Sequence, residues 1–211
     1  MSARVIMVAS GKGGTGKSTV SVLTGAALAA RGRRVLLVEL DSALRSVDYI
    51  AGVYGKTVYD VEDVLCGRCD AGKALVESPL YPGLFVISAP YSGGQVAAGA
   101  LQSFLQQAGG VFDDIVLDTA AGMGAPFEAA RAAASLALIC ITPDPVAQRD
   151  GRIVCDALLE GGCEQVRLVI NKVPRTLAGQ GIRDLDECIV TVGAQLLGVG
   201  PYSEAVLGAG A

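Results

Sequence analysis

The sequence predicts an α/β fold with a mostly parallel sheet flanked by helices, and three observations carry that expectation. Seven apolar runs of strand length recur, helix-like segments lie between several of them, and the runs do not alternate polar with apolar residues. Uniformly apolar strands are those covered on both faces, and strands that alternate with helices are joined by right-handed crossovers into a parallel sheet. A composition of 51% hydrophobic and 18% charged residues over 211 positions supports a sizeable core and excludes a disordered chain. No repeat, low-complexity linker or charge block divides the sequence, so residues 1–211 are read as one domain.

The first strand is expected over 5–9, followed by a helix over 18–30 and a second strand over 35–38. A strand over 84–88 and a helix over 98–107 come next, then a strand over 115–117, a helix over 126–134 and a strand over 136–141. A helix over 146–159 and strands over 166–170 and 196–199 complete the pattern. The uncharged stretch 78–112 is interrupted by Pro79, Pro82, Pro90 and Gly93-Gly94, so no transmembrane helix is expected. The start lacks the architecture of a signal peptide. In a fold of this kind ligands bind in loops at the carboxyl ends of the strands.

Composition narrows the chemistry. The chain has no histidine, which excludes a Ser-His-Asp triad, a His-paired cysteine nucleophile and a His-ligated metal. A formal charge of −4 gives no overall basic footprint, so no direct nucleic-acid partner is expected. Six irregularly spaced cysteines read as reduced thiols of a cytoplasmic protein. Cys66 and Cys69 form a C-x-x-C pair, which supplies only two ligands and is read as structural.

Directly after the first strand, Gly11-Lys12-Gly13-Gly14-Thr15-Gly16-Lys17-Ser18-Thr19 fits G-x-x-x-x-G-K-[ST] and opens into a helix. Its glycines let the backbone curl so that successive N–H groups face phosphate oxygens, and the helix adds its positive end. Lys17 would neutralise the β and γ phosphates, and the Ser18 hydroxyl would ligate Mg²⁺. Lys12, earlier in the loop, is either a solvated lysine or one that reaches the nucleotide of a facing subunit, as an arginine finger does. Asp118, which ends an apolar run and precedes Thr119-Ala120-Ala121-Gly122, is expected to hold the magnesium shell through water; the alternative is a helix N-cap. Asp41 is a candidate for orienting water, and Glu39 would join the site or pair with an arginine such as Arg34. Asn171-Lys172-Val173-Pro174 is an N-K-x-D-like sequence with proline in place of the acid that accepts guanine protons, so adenine is expected, with Asn171 touching its ring.

With these pieces placed, the chain resembles the MinD branch of the MinD/ParA family of deviant Walker A ATPases, P-loop NTPases of the SIMIBI class. The matching stretches are SGKGGTGKST (10–19), LDSALRSVD (40–48), YDVEDVLCGRCDAGKAL (59–75), DTAAG (118–122), TPDPVAQRD (142–150) and TVGAQLLG (191–198). The resemblance implies an ATP- and Mg²⁺-dependent homodimer switch in which hydrolysis, slow without a partner, positions the division septum. It implies a MinC-like inhibitor as cargo and a MinE-like or landmark regulator. By the same resemblance Gly11, Lys12, Gly13, Gly14, Thr15, Gly16, Lys17, Ser18 and Thr19 bind phosphates and Mg²⁺, Lys12 in trans. Lys12, Lys17, Asp41 and Asp118 serve catalysis, and Asn171 contacts adenine. Two positions depart from the family pattern: Glu39 stands where an aspartate is usual and Ala43 where a glycine is. The sequence ends at Gly208-Ala209-Gly210-Ala211, where the family continues to an amphipathic membrane-binding helix. Two expectations follow: a chain cut short of that helix, peripheral at the inner membrane when whole, or a protein without direct membrane recruitment. The other readings are a flagellar-number or chromosome-partitioning relative, a P-loop ligase or amidase, and a cluster-carrying reductase.

Overall fold

A computed structural model describes residues 3–42, 45–90, 97–177 and 179–204. The chain runs β1 (Arg4–Ala9), α1 (Lys17–Ala29), β2 (Val35–Glu39), α2 (Ser46–Ile50), α3 (Val61–Leu65), α4 (Ala71–Ala74), β3 (Val76–Glu77) and β4 (Leu84–Ile87). It continues with α5 (Ala98–Ala108), β5 (Asp114–Asp118), α6 (Ala125–Ala133), β6 (Leu136–Ile141), α7 (Pro145–Glu160), β7 (Gln165–Val173), α8 (Leu185–Val192) and β8 (Gln195–Pro201). The strands form one sheet in the order β3-β4-β2-β5-β1-β6-β7-β8, parallel throughout except for β3 against β4.

The central strands are apolar on both faces because both are packed. Ile6 and Val8 of β1, with Leu37 of β2 and Val116 of β5, meet Val22 of α1 and Val47 beside it. Met7, Leu36, Ile115 and Leu117 point the other way, against Leu101 and Phe104 of α5, Phe127 of α6 and Val154 of α7. This is the period-two alternation of a strand with apolar residues in both registers. Gly25 lets α1 lie close to the sheet, since a Cβ there would come within 2.8 Å of Leu84 Cδ1.

The expected burial fails at the far edge. β8 packs Leu196 on the core, but Leu197 is 58% exposed and Val199 45%. The reason lies in coverage: α1 contacts β1, β2, β4 and β5, whereas α7 and α8 cover β7 from the opposite face. The expected helices appear as α1, α5, α6 and α7. The short elements α2, α3, α4 and β3, and α8 further on, were not predicted by periodicity. Among the described residues no helix is long and apolar enough to cross a membrane. Ala43 and residues 205–211, which include the terminal Gly208–Ala211 stretch, lie outside the described residues.

Candidate functional site: a phosphate-binding cleft at the carboxyl end of the sheet

β1 delivers the chain into the glycine-rich loop and α1 carries it away, so the loop sits at the carboxyl end of the central strand. Gly16 is the N-cap of α1 with φ 88°, a left-handed conformation that disfavours any side chain. No side chain caps the helix and no acid lies in its first turn. Its first amides are therefore available to an anion, and the helix dipole favours one there. A cleft of ≈ 260 Å³ opens in front of them, lined by residues 13–19 together with Asp41, Ser46, Ile50, Ala121 and Lys172.

The Ser18 hydroxyl donates to Asp118 Oδ2 at 2.7 Å, and the Ser21 hydroxyl donates to Oδ1 at 2.8 Å. Asp118 is fully buried at the end of β5. Burial pushes its carboxyl above the ordinary value, opposed by Lys17 and the two serine hydroxyls, with Asp41 adding to the rise. Asp118 caps no helix: the N-cap of α6 is Gly124. A hydroxyl and a carboxylate oxygen side by side, next to the buried Lys17, are a donor set suited to magnesium and to a phosphate chain, and the open space at Gly13 and Gly14, where a Cβ would meet nothing within 4 Å, leaves room for them.

Glu39 takes neither expected path. Its Oε1 accepts from Val47 N at 3.1 Å and its Oε2 from Ala89 N at 3.3 Å. It thus ties α2 and the end of β4 to the end of β2, while Arg34 lies over the rings of Phe85 and Phe112. Burial raises the Glu39 carboxyl to about 8, against the two amides, with Asp118 and Asp48 adding to the rise. Arg45 and Asp48, from the LDSALRSVD stretch, form a buried pair at 2.8 Å instead of lining the cleft.

Lys12 lies at the rim, its Nζ 3.4 Å from Asp144 Oδ1. Asp144 caps α7 through Ala147 N. Burial pushes its carboxyl up, but the Thr142 hydroxyl, the Ala147 amide and Lys12 outweigh that and hold it below the ordinary value. Gly11 sits against α7, since a Cβ there would lie 2.6 Å from the Asp150 carbonyl oxygen.

Asn171 and Lys172 reach the loop from β7, Lys172 also lining the cleft. Asn171 Nδ2 donates to the Thr15 carbonyl at 2.9 Å and Lys172 Nζ to the Gly14 carbonyl at 2.7 Å. The N-K-x-D-like sequence contains both residues but points to Asn171 only as a base contact and gives Lys172 no role. All six cysteines are free thiols, with Cys66 exposed and Cys140, Cys155, Cys163 and Cys188 buried.

The chain is similar to known proteins over nearly its whole length. Residues 6–211 match the family described as the CobQ/CobB/MinD/ParA nucleotide binding domain. The chain is 33% identical over 207 residues to the septum site-determining protein MinD of Synechocystis sp., covering 97% of this chain and 78% of that protein. It is 34% identical over 199 residues to MinD of Bacillus subtilis, covering 92% and 74%. It is similar in structure to a chain of the MinC:MinD cell division protein complex of Aquifex aeolicus, with a TM-score of 0.89 at 28% identity, covering 99% of this chain and 85% of that one. The MinD of Pyrococcus horikoshii, solved with Mg-ADP, shares the fold at a TM-score of 0.86 and 22% identity.

Proposed function

The chain belongs to the CobQ/CobB/MinD/ParA family of nucleotide-binding domains and is a MinD-type ATPase of division-site placement, and on that premise we propose how its residues divide the work. The observation that carries the reading is the juxtaposition of Ser18, Asp118 and Lys17 at the uncapped start of α1. As one nucleotide-binding domain, the chain holds ATP with Mg²⁺, and the bound group supplies the phosphoanhydride bond that is broken. The loop amides and Lys17 would bind the phosphates, Ser18 would ligate the metal, and Asp118, from its buried position, would hold the metal's water shell. Asp41, on the cleft wall beside α2, orients the attacking water.

Lys12 serves in trans. Among the described residues its ammonium is held by the half-exposed contact with Asp144, a pairing worth about 0–1 kcal/mol, so little opposes its transfer to a facing nucleotide. The resulting homodimer is the state that recruits a MinC-type partner, as the Aquifex relative is found with MinC, and hydrolysis dissolves it.

Two substitutions test this division. Lys17→Ala should abolish ATP binding in calorimetry. Lys12→Ala should bind ATP within about threefold of the parent, since an exposed lysine adds little to affinity in one chain, yet fail to dimerise with ATP in light scattering. A Lys12→Ala protein that still dimerises would remove the trans role.

A further inference from the structure

We propose that Asn171 and Lys172 are positioning residues that hold the phosphate loop in its binding shape from the β7 side, before any nucleotide arrives. The proposal rests on the reading of the cleft as an ATP site and deepens it. In a planar trans peptide the carbonyl and the following N–H point in opposite directions. Lys172 Nζ holds the Gly14 carbonyl at 2.7 Å, so the amide of Thr15 is turned the other way. Asn171 Nδ2 at 2.9 Å and the Cys140 thiol at 3.4 Å hold the Thr15 carbonyl, so the amide of Gly16 is turned the other way as well. Anchoring two consecutive carbonyls on the β6–β7 side aims two consecutive amides away from it, as a phosphate cradle requires.

Three features of the backbone are shaped around this brace. β7 loses register with β8 between Ile170 and Val173, so Asn171 and Lys172 leave the ladder. Lys172 has φ 54°, a left-handed conformation that costs a non-glycine residue about 1–2 kcal/mol and persists only where its surroundings hold it. The Asn171 amide lies between two glycines: a Cβ at Gly16 would collide with its Nδ2, and one at Gly200 would lie 2.5 Å from its Oδ1. Burial keeps the Cys140 thiol protonated, at about 11, and so able to donate.

A brace and a base contact predict different ligand dependence. Affinities for MgATP and for magnesium tripolyphosphate, which has no base, are measured by calorimetry. Asn171→Ala removes no charge and should weaken both ligands by a similar factor, about tenfold, as expected for one well-placed hydrogen bond. Gly200→Ala, which displaces the Asn171 amide without touching the loop, should do the same. Lys172→Met should also weaken both, and Lys172→Arg, which keeps a donor, should recover part of the loss. In the nucleotide-free protein, the ¹⁵N order parameters of Gly14, Thr15 and Gly16 should fall in Asn171→Ala while those of α1 hold, a change that general loss of stability would not confine to the loop. Weakened ATP with unchanged tripolyphosphate affinity, or unchanged loop order parameters, overturns the brace alone. A parent protein that binds neither ligand overturns the ATP site and the brace together.

Discussion

Glu39 and Asp118 end neighbouring strands and are register partners, yet they do different things with a buried carboxylate. Asp118 turns both oxygens to serine hydroxyls at the cleft, whereas the longer Glu39 reaches past it to two backbone amides. That second arrangement has a pH signature. The Glu39 proton leaves near 4.5 in the unfolded chain and near 8 in the folded one, so the unfolded state sheds it first as pH rises. Stability is fully present below the lower value and declines through the window up to the higher, by at most about 1.4 kcal/mol per pH unit. Glu39→Gln carries no such proton. In nucleotide- and metal-free protein its urea midpoint should fall less steeply between these two values than the parent's. Equal slopes would show that Glu39 is ionised in the folded state at neutral pH.

At the scale of the element, the strands were legible because apolar residues run unbroken through the interiors of β1, β2, β5 and β6, as expected of strands buried on both faces. The phosphate loop was legible for a related reason: its spacing encodes its own strand–loop–helix context. The segment between β2 and β4 was not. α2, α3 and α4 have four or five residues each, too few for a 3.6-residue period to show, and α3 is held by a capping box between Asp60 and Asp63 more than by an apolar stripe. Tertiary contacts hid the roles of Asn171, Lys172 and Glu39, which bond backbone groups of other elements: Thr15, Gly14 and Ala89. The loop-to-helix junction gives a prediction of its own. Gly16→Ala places a side chain against Asn171 and forces a left-handed conformation on alanine, so ATP affinity should fall by tenfold or more on the order of 1–2 kcal/mol of strain. Calorimetry with circular dichroism as a fold control checks this; affinity equal to the parent's would show that the loop adapts.

Across the whole molecule, β5 separates stability from chemistry along one strand. Asp118 stands at its carboxyl end, bonded to Ser18 of the cleft, while Asp114, likewise fully buried at the other end, pairs with Arg4 at 2.9 Å and with Arg33. Four residues of strand put these ends ~13 Å apart. Asp114→Asn should therefore lower unfolding free energy by about 1–3 kcal/mol, the cost of weakening a buried acceptor, and leave ATP affinity unaltered. Urea denaturation and calorimetry read the two effects separately, and a matching loss of affinity would show that the ends are coupled. The sheet's outer strand has a consequence of a different kind. β8 leaves one side of its backbone unpaired in the described sheet and turns Leu197 and Val199 to water. Such a rim invites strands of other molecules to add on, which makes colloidal behaviour, not catalysis, the first property to suffer when this chain is concentrated; a lysine at 197 is the natural gatekeeper against it.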